Sequence, residues 1–545
     1  MVWSRSDFEL YLDPVFTRTE AGQRSLRLVE IVDEWAVQMP GVPLPVEEFD
    51  VTGLLAESRM YLERLADRGS ESLAVINPVT VANWSYFGAA LCRVPGAQLL
   101  IDGGIDRFIW MVGCAGSGTG RVGSGLVEFL NLCVYWRAGQ ILAGMLESLA
   151  SPDAGGTNAS AALNSVFPAR ARFRWATIEM SKLLIRHTDL SGVSESAVDS
   201  LTFYLECIDR ENLWASGNCG AAPLTGEARL LVEDCSIAMG VLSNESFASL
   251  AFDRRMDTHP FVNSEGVLVP VAAQKLLSES HLMVFGYLRR RVGQHSVATA
   301  FEASCASMVA KLCDSTSFRV LHSSVAVKVG NHDPGEVDFA VTDDRKNLVL
   351  GEVKSNVVGS SIDTTEQLLA KQVSKAVEQL DVRIQAFKSG SPLTQGCEQV
   401  QVPSSAKVIG MVVTLHDYGG AVWNSQDLDR SLRSKARFAV TTAHDLALLA
   451  HTLTGIDELL AYLDFRERFL SHSAVSMDEL DILAAFLEDE DGIRKQFNHL
   501  SAISNVRAIM KPRNVDRELL LCTEAPEGCT SWRQVVAGLP AVPVW

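Results

Sequence analysis

The stretch GEVDFAVTDDRKNLVLGEVKS, residues 335–355, decides how the chain is read. Two apolar runs, Val337-Asp338-Phe339-Ala340-Val341 and Leu348-Val349-Leu350, flank the polar segment Thr342–Asn347. Strand, turn, strand is the expected order, with the turn centred on Arg345. Pairing about that centre sets Asp338 opposite Glu352 and Glu336 opposite Lys354. Side chains alternate with a period of two along a strand, so all four are expected on one face. Two opposed carboxylates about 5 Å apart repel each other. Each is pushed towards its protonated form unless a positive charge sits between them. A divalent cation supplies that charge, and one or two carboxylates with water and substrate phosphate are the usual setting for Mg2+. Lys354, one step beyond Glu352, places an ammonium beside the pair.

The text around the hairpin gives an order. "THPFVNSEGVLVP" reads as two short strands about a turn. A helix is expected from about Ala272 to Arg291, and another past Gly293 through "SVATAFEASCASMVAKLCD". A strand "FRVLHSSVAVKVG", the hairpin, a helix over 364–390, a strand "AKVIGMVVTLHD" and a strand-helix pair "ARFAVTTAHDLALLAHTL" follow. Helix, three strands, helix, strand describes an α/β domain with a mixed sheet.

Asp338, thirteen residues, then Glu352-Val353-Lys354 resembles the signature of the PD-(D/E)XK nuclease superfamily, the restriction-endonuclease-like fold. The resemblance covers roughly residues 285–450. The Pro-Asp pair of the superfamily's name is absent, since Gly335-Glu336-Val337 stands between Pro334 and Asp338. The resemblance implies a Mg2+-dependent nuclease, with Mn2+ as a substitute, in which Asp338 and Glu352 bind metal and Lys354 positions the attacking water. Glu302 takes the place of the acidic residue on the leading helix, a further metal ligand. Gln372, Lys375 and Gln379 share one face of the following helix, where members of the superfamily touch phosphate or the site water. Arg289, Arg290 and Arg291 are expected phosphate contacts. DNA is the implied substrate, in restriction or antiviral defence. The rival reading is a nucleic-acid-binding or interaction scaffold that keeps the fold without catalysis. The bland one is a surface hairpin held by cross-strand ion pairs such as Glu336–Lys354.

Length and composition bound the remainder. The chain has 545 residues and 47% hydrophobic residues, enough for several domains. The expected division is a mainly helical domain over 1–245, the α/β core over 246–455 and a helical region over 456–545. Apolar periodicity in 25–39, 54–69 and 200–215 supports the first; "AQLLIDGG" and "RFIWMVG" read as short strands. The acidic run "SMDELDILAAFLEDEDG" reads as a solvated face or partner surface. The helical flanks are the expected route to a protein partner or self-association.

A net charge of −18 argues against a protein coated for non-specific nucleic-acid binding. It leaves room for a local basic patch: six basic residues stand against two acidic ones between Gly286 and Gly330. The eleven cysteines form no CxxC pair and are expected as buried free thiols in a reducing cytoplasm. The apolar segment 126–146 is interrupted by Glu128 and Arg137 and reads as a buried helix, so no membrane association is expected. Gly118-Thr119-Gly120-Arg121-Val122-Gly123 matches a dinucleotide-loop spacing without the acidic residue that should follow, and reads as a loop.

Overall fold

The computed structural model describes residues 110, 111, 113–116, 172–188, 192–211, 226–245, most of 255–313, 318–328, 335–343, 347–355, 369–416, 437–475, 479–488, 508–509 and 517–539. The periodic segments 25–39 and 54–69, the strand expected over 97–104, the apolar segment 126–146 and the glycine loop 118–123 lie outside them. Two compact units divide the chain: Met1–Ala169 with Ser191–Tyr287, and Arg170–Leu190 with Leu288–Trp545. The cut differs from the three-region division. It falls after Tyr287, and everything from 456 onward shares a unit with the sheet.

In the first unit, helices Glu195–Glu211 and Gly226–Asp234 precede a three-stranded sheet. Strand Ser236–Ala238 runs parallel to Phe261–Ser264, which pairs antiparallel with Val267–Pro270. Trp110 Nε1 donates to the His259 carbonyl at 2.9 Å. Trp110, Met111 and Gly113–Ala115 are helical and buried, not the strand expected for "RFIWMVG". A short apolar run buried on every side carries no periodicity to separate strand from helix.

The second unit carries the quoted hairpin. Its elements are α1 (Arg174–Arg186), α2 (Gln294–Ala310), β1 (Arg319–Val327), β2 (Glu336–Thr342), β3 (Asn347–Lys354), α3 (Lys375–Lys388), β4 (Leu393–Gln395), β5 (Glu398–Val400), β6 (Lys407–Thr414), β7 (Arg437–Thr442), α4 (Ala443–Thr452), α5 (Ile456–His472), α6 (Glu479–Leu487) and α7 (Trp532–Ala537). Seven strands form one mixed sheet in the order β7-β6-β3-β2-β1-β4-β5. β1, β2 and β3 are an antiparallel meander; β6 and β7 run parallel to β3. The expected helix, meander, helix, strand order is observed. The hairpin β4–β5 was not read in the sequence.

The hairpin register follows from its turn. Phe339 pairs with Gly351, Ala340 with Leu350, Val341 with Val349 and Thr342 with Leu348, symmetric about residue 345. Asp343 fixes this: its carboxylate takes the backbone N–H and side-chain amide of Asn347, each at 2.9 Å. At the other end Gly335 has φ +65°, and a Cβ there would lie 1.7 Å from the Val327 carbonyl oxygen. Only glycine allows that approach of β2 to β1.

The sheet is covered on both faces, which explains the unbroken apolar text of β3. Leu348 and Leu350 pack with Val377, Leu380 and Ile384 of α3. α2 lies against β1, β2 and β3. Phe339 crosses β3 at Gly351, where a Cβ would meet the ring at 2.1 Å. Phe438 uses Gly410 in the same way.

Distant segments close the unit. Trp532 of α7 stacks on Trp175 of α1 with ring centroids 5.0 Å apart. Arg533 grips Glu458 through two 2.7 Å contacts. Glu479 and Asp481, read as part of a solvated acidic face, are buried. Glu479 accepts hydrogen bonds from Tyr462 and, at 3.2 Å, from Arg466, whose guanidinium also donates to the Val440 carbonyl. A buried carboxylate persists only when paired in this way, and these partners lie on α5, invisible to a local reading. Among the described residues no single helix is long and apolar enough to cross a membrane. The described cysteines form no disulfide with one another; Cys114, Cys235 and Cys305 are buried as expected, whereas Cys397 is exposed.

The Gly351 contact is directly testable. Gly351→Ala should destabilise the protein by about 1–3 kcal/mol, the usual cost of overpacking. Adding Phe339→Leu should recover part of that loss in chemical denaturation. Equal stability of Gly351→Ala and wild type would contradict the packing described.

Candidate functional site

The two ladders that flank β3 differ in length. Pairing with β2 stops at Phe339–Gly351, whereas pairing with β6 continues through Glu352–Val412 to Lys354–Thr414. β3 therefore runs on beside β6 after parting from β2, and the acids stand where the strands part. The predicted register holds, but Asp338 is not in a ladder pair with Glu352. Its Oδ2 instead accepts the Val353 backbone N–H at 2.6 Å. A side-chain oxygen thus satisfies a strand donor left over where the ladder ends.

Glu352 is buried at 6% exposure, and its Oε2 accepts from Lys354 Nζ at 2.9 Å. Glu336 is exposed and makes no ion pair with Lys354 among the described residues. The cross-strand surface ion pair of the bland reading does not form. Each carboxylate of the pair therefore spends one oxygen on a protein donor. The second oxygens, Asp338 Oδ1 and Glu352 Oε1, have no hydrogen-bond donor among the described residues.

The electrostatics follow from this crowding. Burial pushes the Asp338 carboxyl up; the Val353 N–H, Lys354 and Arg383 oppose that push. Burial and then the Asp338 charge push Glu352 up, against Lys354 and Arg383. Glu302, half-buried on α2, is raised to about 7 by burial and then by the charges of Asp338 and Glu352. The buried Cys305 thiol, one turn on, is raised by burial and by Glu302 and Asp338.

Asp338, Glu352, Lys354 and Glu302 are thus brought within electrostatic reach of one another. They are not a closed ligand cage: among the described residues no three His, Cys, Asp or Glu side chains are grouped closely enough to hold a metal by themselves. The pair fits an ion that takes one or two carboxylates and fills its other positions with water and phosphate, as Mg2+ does. Two carboxylate oxygens without a hydrogen-bond donor among the described residues, on acids that burial pushes towards protonation, are the observation behind that fit.

The expected nucleic-acid contacts are dispersed. Arg289, Arg290 and Arg291 are exposed in the last turn of the helix Ala273–Val292. Lys375 is exposed at the start of α3. Gln372 lies in a π-helical turn, Leu369–Ser374, that leads into α3, and its Oε1 is buried without a hydrogen-bond partner. Neither Gln372 nor Lys375 bonds to the acidic pair among the described residues. Arg383, which no local sequence pattern singles out, is an α3 residue that bonds to β2. It is buried, and its Nε donates to the Glu336 carbonyl at 2.8 Å. Its spacing of four from Gln379 sets it beside the polar face already noted without marking it out.

No protein-family model, curated protein or solved structure matches the chain. The functional reading therefore rests on the site itself.

Glu302 gives a signed pH dependence. Its folded pKa of about 7 lies above the ordinary 4.5, so the folded state holds the proton more tightly than the unfolded chain. Stability from this group is present below the unfolded value and is lost as pH rises through about 7. Urea unfolding in EDTA should show Glu302→Gln losing less stability than wild type as pH rises over that window. Parallel slopes for the two proteins would contradict the placement of Glu302 beside the acidic pair.

Proposed function

We propose that the protein is a Mg2+-dependent nuclease that hydrolyses phosphodiester bonds of nucleic acid, with DNA as the substrate. The observation that carries this reading is the Asp338–Glu352 pair, each acid holding one oxygen open while Lys354 lies on Glu352 at 2.9 Å. The order of α2, the meander β1–β3, α3 and the parallel strand β6 supports the resemblance to the PD-(D/E)XK superfamily.

Asp338 Oδ1 and Glu352 Oε1 are the groups that would hold the ion; Glu302 feels their charge but is not grouped with them as a third ligand. A bound Mg2+ would polarise a phosphoryl oxygen and acidify a water next to it. Lys354 Nζ is a fixed donor beside the same carboxylate. From there it orients a nucleophilic water and offsets the negative charge that builds on the phosphorus oxygens. The Val353 N–H holds the Asp338 carboxylate in one orientation, so the pair is set before substrate arrives. Arg289, Arg290 and Arg291 supply exposed positive charge for the phosphate backbone in a chain that is acidic overall.

The purified full-length chain should be incubated with plasmid, linear duplex and single-stranded DNA in Mg2+, in Mn2+ and in EDTA. Cleavage should require the metal. Asp338→Asn should abolish it, and Lys354→Ala should reduce it about a hundredfold or more. Nucleic acid bound but never cut, with wild type and both variants alike, would favour the scaffold reading.

A further inference from the structure

The sheet opens around Asp338 on both sides. Towards β3, the pairing of β2 stops at Phe339–Gly351. Towards β1, it runs to His322–Phe339, skips Asp338 and resumes at Val325–Val337. Residues 339–342 of β2 are paired on both sides, and Glu336 and Val337 on one; Asp338 is paired on neither. What faces it across the break in β1 is the bulge Ser323-Ser324. Neighbouring strands lie about 4.8 Å apart, so the bulge is one strand spacing from the acid.

Ser323 and Ser324 have φ of 62° and 56°. An L side chain sits in the left-handed region at an energetic cost, whereas glycine occupies it freely. Two such residues in succession persist only when their surroundings hold them there. The β4–β5 hairpin does so. Gln395 Nε2 donates to the His322 carbonyl at 3.1 Å, and the Gly396 N–H donates to the Ser324 carbonyl at 2.9 Å. Gln395 is itself paired with Val325, just past the bulge. Both serines are exposed. The Ser323 hydroxyl has a long 3.4 Å approach to His322 Nδ1, and the Ser324 hydroxyl makes no hydrogen bond among the described residues. Neither packing nor internal hydrogen bonding of these side chains accounts for serine where glycine would be unstrained.

We infer that Ser323 and Ser324 are a phosphate grip: the bulge presents two hydroxyls beside Asp338 to hold the nucleic-acid backbone next to the bond that is cut. The inference rests on the nuclease reading and adds a substrate contact to it. A bulge re-aims side chains where a ladder is broken, and bulges gather next to active sites. Serine hydroxyls are ordinary donors to phosphate oxygens. Being uncharged, they leave the balance of charge around the acidic pair as it is. The β4–β5 hairpin is the buttress of this grip.

Two double variants of the full-length chain separate grip from mere bend. Ser323→Gly/Ser324→Gly removes the hydroxyls and the strain; Ser323→Ala/Ser324→Ala removes the hydroxyls and keeps the strain. Cleavage of linear duplex and single-stranded DNA in Mg2+ is resolved into kcat and KM, and thermal unfolding gives Tm. Both variants should raise KM about tenfold while kcat changes far less. The glycine variant should melt about 2 °C or more above the alanine variant. Should the double alanine variant fail to fold, Ser323→Ala and Ser324→Ala taken singly carry the same test. Wild-type KM in both double variants, with Asp338→Asn still abolishing cleavage, would overturn the grip and leave the nuclease reading standing. A KM raised by glycine alone would trace the effect to loosened backbone and overturn it too. Equal Tm in the two variants would remove the strain from which the inference starts. A wild type that cuts neither DNA in Mg2+ or Mn2+ would overturn the nuclease reading along with this one, a result distinct from the others.

Discussion

Two neighbouring carboxylates, Glu352 buried and Asp338 half-buried, make a demand that the surrounding fold must meet. Asp338 and Glu352 occupy the place where β3 leaves β2 and continues along β6. Like charges out of water are among the costliest arrangements a protein can hold. What offsets this one is particular: a backbone N–H bonded to Asp338, an ammonium bonded to Glu352, and the charge of a guanidinium, Arg383, anchored to the start of β2. Each compensator comes from a different level of the structure. The N–H exists because the ladder ends, the ammonium because Lys354 follows Glu352 by two, and the guanidinium because α3 covers that face of the sheet.

The register of the hairpin stands upstream of the site. A slip of one residue would turn both acids to the opposite side. Asp343 prevents it by clasping Asn347 across the turn, and Gly335 prevents it from the other end by pinching β2 against β1. Gly351 lets Phe339 lie across β3 beside Glu352, so packing and chemistry meet at adjacent residues. The bulge in β1 brings Ser323 and Ser324 into the left-handed region with φ of 62° and 56°, a strained arrangement for two successive non-glycine residues.

The parts legible in the sequence were those encoded locally. Period-two alternation and a polar turn were enough to place Asp338 and Glu352 and to centre the hairpin on Arg345. The long helices Ala273–Val292 and Gln294–Ala310 were legible from their spacing and from the glycine between them. The parts missed depend on partners far away in the chain. Glu479 and Asp481 look solvated until α5 supplies Tyr462 and Arg466 for Glu479. Arg383 looks like one more charge on a helix until its partner proves to be a carbonyl of β2. The segment around Trp110 looks like a strand because an apolar run buried on all sides has no period. The β4–β5 hairpin is only three residues a side, too short to leave a pattern.

The central claim is that Asp338 and Glu352 receive a divalent cation through their two open oxygens. Anomalous diffraction from crystals soaked in Mn2+ tests it most directly. The account predicts a single strong peak within ligating distance of Asp338 Oδ1 and Glu352 Oε1, lost in Asp338→Asn. Crystals saturated with Mn2+ that show no peak there, with both side chains ordered as described, would contradict it.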